Sequence, residues 1–202
     1  MQAVGLGVTP TPDDGGVRRS TEQVWDESAR PSAPLPPPMA YTESQRASGQ
    51  HLVEVHDHFR SELATILDLV EQVGRGTRDP GGARSAIHAM TLRQNNWTVG
   101  AYCASYCRLL TTHHTIEDIS LFPQLRAADP SLAPVLDRLA AEHHAIHEVL
   151  ERVDRALVAL VSAPDGLAEL RAAVDLLSDA LLSHLSYEER ELVEPLARFG
   201  AL

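Results

Sequence analysis

A chain of 202 residues with a net charge of −11 and a pI near 5.3 has room for one well-buried domain plus some extra but not for two ordinary domains, and it lacks the basic surface that nucleic acid requires. Aromatic residues make up only 4% of a chain that is 44% hydrophobic, and Ala, Leu and Val supply most of its apolar side chains, a composition of packed helices and not of a sandwich or barrel. The first residues, MQAVGLGVTPTPDDGG, carry neither a basic leader nor an apolar run, and no stretch of about 18 apolar residues follows, so the expected setting is the cytoplasm, with neither membrane nor nucleic acid as a partner.

Residues 1–45 contain Pro31, Pro34, Pro36, Pro37 and Pro38 among Gly, Ser and Asp. Without apolar periodicity such a segment buries too little surface to offset its ordering, and it is expected to be a disordered arm. From there Leu52, Val55, His56, Phe59, Leu63, Ile66, Val70 and Val73 recur at steps of three and four, which predicts a first helix over 46–74. The run GRGTRDPGG breaks it, and 83–91 reads as a short helical piece before Asn95 and Asn96. A second helix over 97–128 carries Tyr102, Tyr106, Leu110, His113, Glu117 and Leu121 on one face. Cys103 and Cys107, four apart on it, read as two small core thiols.

A third helix over 131–161 aligns Leu132, Leu136, Leu139, His143, Ile146, His147, Leu150, Val153 and Leu157. After a Ser-Ala-Pro-Asp-Gly turn at 162–166, a fourth aligns Leu167, Leu170, Val174, Leu177, Leu181, His184, Glu188 and Leu192, with Pro195 near its end. Four long amphipathic helices with short connections predict an all-α, up-down-up-down four-helix bundle over 46–202.

The stripes are apolar except at their middles. Each helix places a histidine there, and two add a glutamate four residues on, His113–Glu117 and His184–Glu188. Residues i and i+4 share a face about 6 Å apart along the axis, so each pair points to one level of the core. An unpartnered buried carboxylate costs several kcal/mol, and a cation would resolve the conflict between two carboxylates and several imidazoles in one interior. One inward histidine is more often a satisfied core residue than a ligand, whereas four converging helices with a repeated His-x-x-x-Glu spacing make a metal site. Imidazole and carboxylate donors inside a bundle suit iron or manganese, while structural zinc would recruit cysteine; iron is the expected metal. By helical angle His58, His114 and His144 fall on the surface or flank, His51 precedes the register and His88 lies in the insertion. His147, four residues after His143, is either a further ligand or a hydrogen bonder lining the site. Tyr106, two turns before His113, is either a core residue or a phenol that hydrogen-bonds or ligates the metal.

At this point the residues resemble a known family. HHTIEDISLFPQL and HLSYEERELVEPL are similar to the second and fourth helices of hemerythrin-like (HHE cation-binding) domains, and VHDHFRSEL and EHHAIHEVLERV to the first and third. The resemblance covers roughly 50 to 200. It implies a non-haem di-iron centre in which Glu117 and Glu188 bridge two Fe ions and His56, His113, His143 and His184 cap them. The family's oxygen carriers pair two histidines on the third helix, which His143 and His147 could reproduce, and place an Asp one residue beyond the position of Glu188, where this chain has Glu189. The expected function is therefore redox reaction with a small oxidant or gas, namely hydrogen peroxide, nitric oxide or dioxygen, of a peroxidase or catalase kind. The alternative is oxygen or iron sensing or storage without turnover. The N-terminal arm, holding none of these ligands, is expected to be dispensable for metal binding.

Overall fold

Thr42 and Gln45 open the first helix by capping each other: the Gln45 N–H donates to Thr42 Oγ1 at 3.2 Å and the Thr42 N–H to Gln45 Oε1 at 2.9 Å. This Thr-x-x-Gln capping box starts α1 (Glu43–Gly74) earlier than its apolar stripe predicts. The structure, a computed structural model, describes residues 6–13, 17–36, 39–75, 100–159 and 166–200. Among them it is all-helical, with no strand, and no helix is long and apolar enough to cross a membrane.

The second rod of the bundle consists of α2 (Gly100–Ile116), a π-helical turn (Glu117–Leu121) and α3 (Phe122–Ala128) in unbroken succession. Pro123 accounts for the wide turn. In a regular α-turn its ring would strike the carbonyl of Ile119 four residues back; the turn instead widens so that the Phe122 N–H reaches Glu117 O. Asp129 then ends the rod and caps a short 3-10 turn, accepting from the Ser131 N–H at 3.0 Å, and α4 (Ala133–Ala159) follows. The last helix, α5 (Gly166–Phe199), absorbs Pro195 near its end and stops at Gly200, whose φ of 64° suits a residue without a side chain.

Helix α5 packs against both α1 and α4. At Gly49 the approach is close enough that a Cβ would lie 2.7 Å from the Val193 carbonyl oxygen. The buried apolar side chains form two blocks. One contains Phe59, Leu63, Leu110, Ile146, Val149, Leu177 and Leu181, the other Val53, Leu121, Phe122, Leu125, Leu136, Leu139 and Leu192. His56, His113, Glu117, His143, His184 and Glu188 interrupt the stripes between these blocks, so the polar layer is walled by hydrocarbon above and below.

The N-terminal arm departs from expectation. Its described parts, read from composition as unable to pack, lie along the bundle: Leu6, Val8 and Ala33 against one apolar block, Val24 and Trp25 against the other. Polar contacts make up the shortfall in apolar area. The backbone N–H groups of Arg19 and Ser20 donate to the Asp179 carboxylate, that of Ala33 to Glu191 Oε2 at 2.7 Å, and the Tyr187 hydroxyl to the Pro31 carbonyl at 2.7 Å. The expectations for 83–91, His88, Asn95, Asn96 and the turn at 162–165 lie outside the described residues, as do the side chains of Tyr102, Cys103, Tyr106 and Cys107.

Candidate metal centre

Each helix delivers its donors from the middle of its buried stripe. His56 comes from α1, His113 and Glu117 from the second rod, His143 from α4, and His184 and Glu188 from α5. Their ligand atoms sort into two groups, each with all members within 4.8 Å of one another: His56, His113, Glu117 and Glu188 in one, His114, His143 and His184 in the other. The two carboxylates lie between the groups. Glu117 turns Oε1 to His113 Nε2 at 3.2 Å and Oε2 to His143 Nε2 at 3.6 Å. Glu188 Oε2 is 3.5 Å from His56 Nε2 and 3.6 Å from His184 Nε2.

The far sides of three rings fix how they face. His56 Nδ1 meets Glu189 Oε1 at 2.9 Å, His143 Nδ1 meets Asp118 Oδ1 at 2.9 Å, and His184 Nδ1 meets Glu142 Oε2 at 3.1 Å. A carboxylate only accepts, so each Nδ1 carries the proton and each Nε2 keeps its lone pair aimed inward. That is the tautomer a metal needs.

Inside the layer His113 Nε2 and His56 Nε2 meet at 3.3 Å, and several of the other donor atoms are left without a partner. The Nε2 atoms of His114, His143 and His184, Glu117 Oε2 and both Glu188 oxygens are buried without a hydrogen-bond partner. Groups of this kind are normally satisfied, and each orphan costs about 1–3 kcal/mol, more when charged. Burial holds the His56 imidazole neutral, drives His113 down to about 2 and His184 to about 4, and pushes His114 well below the ordinary imidazole range. Burial, with the Glu188 carboxylate beside it, raises Glu117 well above the usual carboxylate range, and burial raises Glu188 to about 8. Neutral imidazoles and carboxylates crowded at one level fit a cation pair: a divalent ion in each group would satisfy the orphaned atoms and restore both carboxylates to their ionised form.

Two histidines are placed differently from the sequence reading. His147 is exposed, its Nε2 facing Glu151 Oε1 at 3.6 Å, so its side chain does not enter the layer. His114, expected on the flank, is buried and stacks on His143 with ring centroids 4.0 Å apart and planes 6° off parallel. It falls where His147 was a candidate. The His113-His114 doublet is the signal: a helix that faces two metal positions side by side can present adjacent residues to each. Glu142 and Glu189, which hold His184 and His56, are both buried; Glu189, one residue round the helix from Glu188, is expected from its angle to face a helix edge or solvent, and Glu142 carries no sequence signal beyond directly preceding His143. Tyr106 sits in α2, and its side chain lies outside the described residues.

A family model described as the hemerythrin HHE cation binding domain matches residues 47–196. No curated protein and no solved structure gives a significant match. The arm therefore lies outside the matched stretch.

Proposed function

Because the chain belongs to the hemerythrin HHE cation-binding family, we propose that it holds a non-haem di-iron centre that reacts with a small oxidant or gas, of the peroxide- or nitric-oxide-consuming kind. The observation that carries this is Glu117, whose two oxygens face the two groups at 3.2 and 3.6 Å from their imidazoles, as a carboxylate shared by two ions must. Iron in these groups supplies reversible electron transfer at positions the protein leaves open. His56 and His113 with the two glutamates give the first ion four protein donors. His147 stands outside, and His114 of the second rod joins His143 and His184 in the other group.

The chain provides the access such a reaction needs. A cavity of about 230 Å³ opens between α2 and α4, with His114 and His143 lining it and Thr111, Thr115, Asp118 and His147 among the residues around them. Its size admits molecules of a few heavy atoms. Its lining is mixed, with Ala140 and Leu150 beside the polar side chains, while the apolar blocks above and below keep bulk water from the remaining faces. The test is elemental analysis of the purified chain with peroxide and nitric oxide consumption measured on the same sample. About two irons per chain and turnover abolished by chelation are expected; zinc as the dominant metal, or iron without any consumption, would sink the reading.

The two histidines that exchange places give a sharper check. His114→Ala is expected to lower iron from about two to about one per chain and to change the absorption of the bound metal, whereas His147→Ala leaves both as in the wild type. The reverse result would show that the third helix supplies a pair of ligands and that His114 only packs.

A further inference from the structure

The geometry points to Arg30 as the positioning residue for the group formed by His114, His143 and His184, which makes the N-terminal arm a working part of the metal centre. The inference rests on the reading of that group as a metal site. Arg30 belongs to the arm, outside the stretch matched by the family, yet its side chain is only 7% exposed. Its guanidinium grips Glu142 with two parallel bonds, Nε to Oε1 and Nη2 to Oε2, each 2.8 Å, and gives Nη1 to Ser183 Oγ at 2.9 Å. It also lies over the Tyr187 ring at 4.6 Å, and the Tyr187 hydroxyl holds the next residue of the arm by its carbonyl.

What this does for the metal group follows from Glu142. That carboxylate accepts from His184 Nδ1 and so sets the plane and tautomer of a ring whose Nε2 faces the layer. A carboxylate with one partner can rotate; with both oxygens held in a planar fork it cannot. Arg30, itself held by Ser183 and Tyr187 of α5, therefore fixes the direction of the His184 lone pair from a segment far away in sequence. At the other group the arm's described residues reach with a backbone N–H, Thr11 to Glu189 Oε2 at 2.7 Å, and there Arg60 of α1 supplies the cation. Arg30 is thus the arm's specific contribution.

The bundle has its own arginine at Glu142, since Arg138 Nε donates to Oε1 at 2.7 Å. Removing Arg30 therefore takes away the planar fork and leaves Glu142 one bond per oxygen, from Arg138 and His184, so the carboxylate is held less firmly without becoming an uncompensated buried charge, and Arg30→Ala should fold. Arg30→Lys keeps the charge without the fork. Arg152→Ala breaks an arm contact of another kind, an exposed pair with Glu22, and controls for loosened docking.

The experiment compares the full-length wild type and these variants loaded with ferrous iron, reading iron per chain, the midpoint of competition with a chelator, the absorption spectrum and the melting of the metal-free protein. Arg30→Ala is expected to bind its weaker ion about 10–100-fold less tightly with an altered spectrum, Arg30→Lys to recover part of the loss, and Arg152→Ala to match the wild type. Wild-type stoichiometry, midpoint and spectrum in Arg30→Ala would overturn the inference, as would equal losses in Arg30→Ala and Arg152→Ala, which would mark a purely structural arm. A wild type that holds no iron at all would instead overturn the di-iron reading, and this inference with it.

Discussion

Alanine at Glu117 or Glu188 is expected to take bound iron from about two ions per chain to one or none and to abolish consumption of peroxide or nitric oxide. Each imidazole faces one group, but Glu117 offers one oxygen to each, and Glu188 lies within 3.6 Å of His56 and His184 from opposite groups. Losing a shared carboxylate removes a donor from both ions and the negative charge that holds them together. The neighbouring acids grade the effect. Asp118, partly exposed, holds only the far side of His143, and Asp118→Ala should weaken binding about 10–100-fold without emptying the site. Glu189 is fully buried between His56 and Arg60, so Glu189→Ala should fall between the two. Elemental analysis of the variant set checks the order. Asp118→Ala as damaging as Glu117→Ala would show that the wrong acid had been placed in the layer.

Stripping the metal is expected to lower the melting temperature by on the order of 10 °C, since ligand at a thousandfold excess over its Kd stabilises by about 4 kcal/mol and a chain of this size shifts by about 2–4 °C per kcal/mol. The metal-free protein should also acquire a characteristic pH profile. His56, His113, His114 and His184 are held neutral when folded, His184 down to about 4. Unfolded, they take up protons below about 6.5, so the unfolded state binds more protons and stability falls as pH drops through that value. Glu117 and Glu188 are held protonated when folded, Glu188 up to about 8. Unfolded, they ionise above about 4.5, so stability falls as pH rises from there toward 8. Below about 6.5 the imidazoles outnumber the carboxylates, and above it only the carboxylates act, which places maximal stability of the stripped chain near pH 6.5. Melting curves across pH, with and without chelator, measure both effects. Curves that chelation leaves unmoved would mean that the layer is satisfied without metal.

The bundle and the residues facing its polar layer were legible because a stripe at steps of three and four exposes its own interruptions: a histidine between Val53 and Phe59, or between Leu139 and Ile146, stands out as no surface histidine does. What was not legible depends on how many faces of a helix are covered. Helix α5 is flanked by α1 and α4 and overlaid by the arm, so Ser183 through Glu189 are buried without a break, and Glu189 is interior although it sits one step from the inner line. The arm is hard to read because hydropathy measures apolar area, whereas much of its hold on the bundle is through N–H groups bonded to carboxylates of α5 and the Arg30 guanidinium bonded to Glu142 of α4, contacts that composition does not register. His114 escaped for a third reason: the layer is two donor groups wide, and a single inner line has no room for adjacent residues.

The wide turn after Glu117 sets the phase of the second rod. With one residue more than an α-turn, it advances the downstream half by about 100°, so the upstream half presents donors to the layer while Phe122 and Leu125 are rotated into the apolar block. The rod is in effect two helices keyed to different neighbours and joined by a one-residue phase shift whose sequence mark is Pro123. In a relative lacking that proline the shift has no steric cause, and a gap of one residue belongs there in any alignment. Written without the gap, such an alignment would carry the donor positions correctly on one side of the turn and mispair every core position on the other.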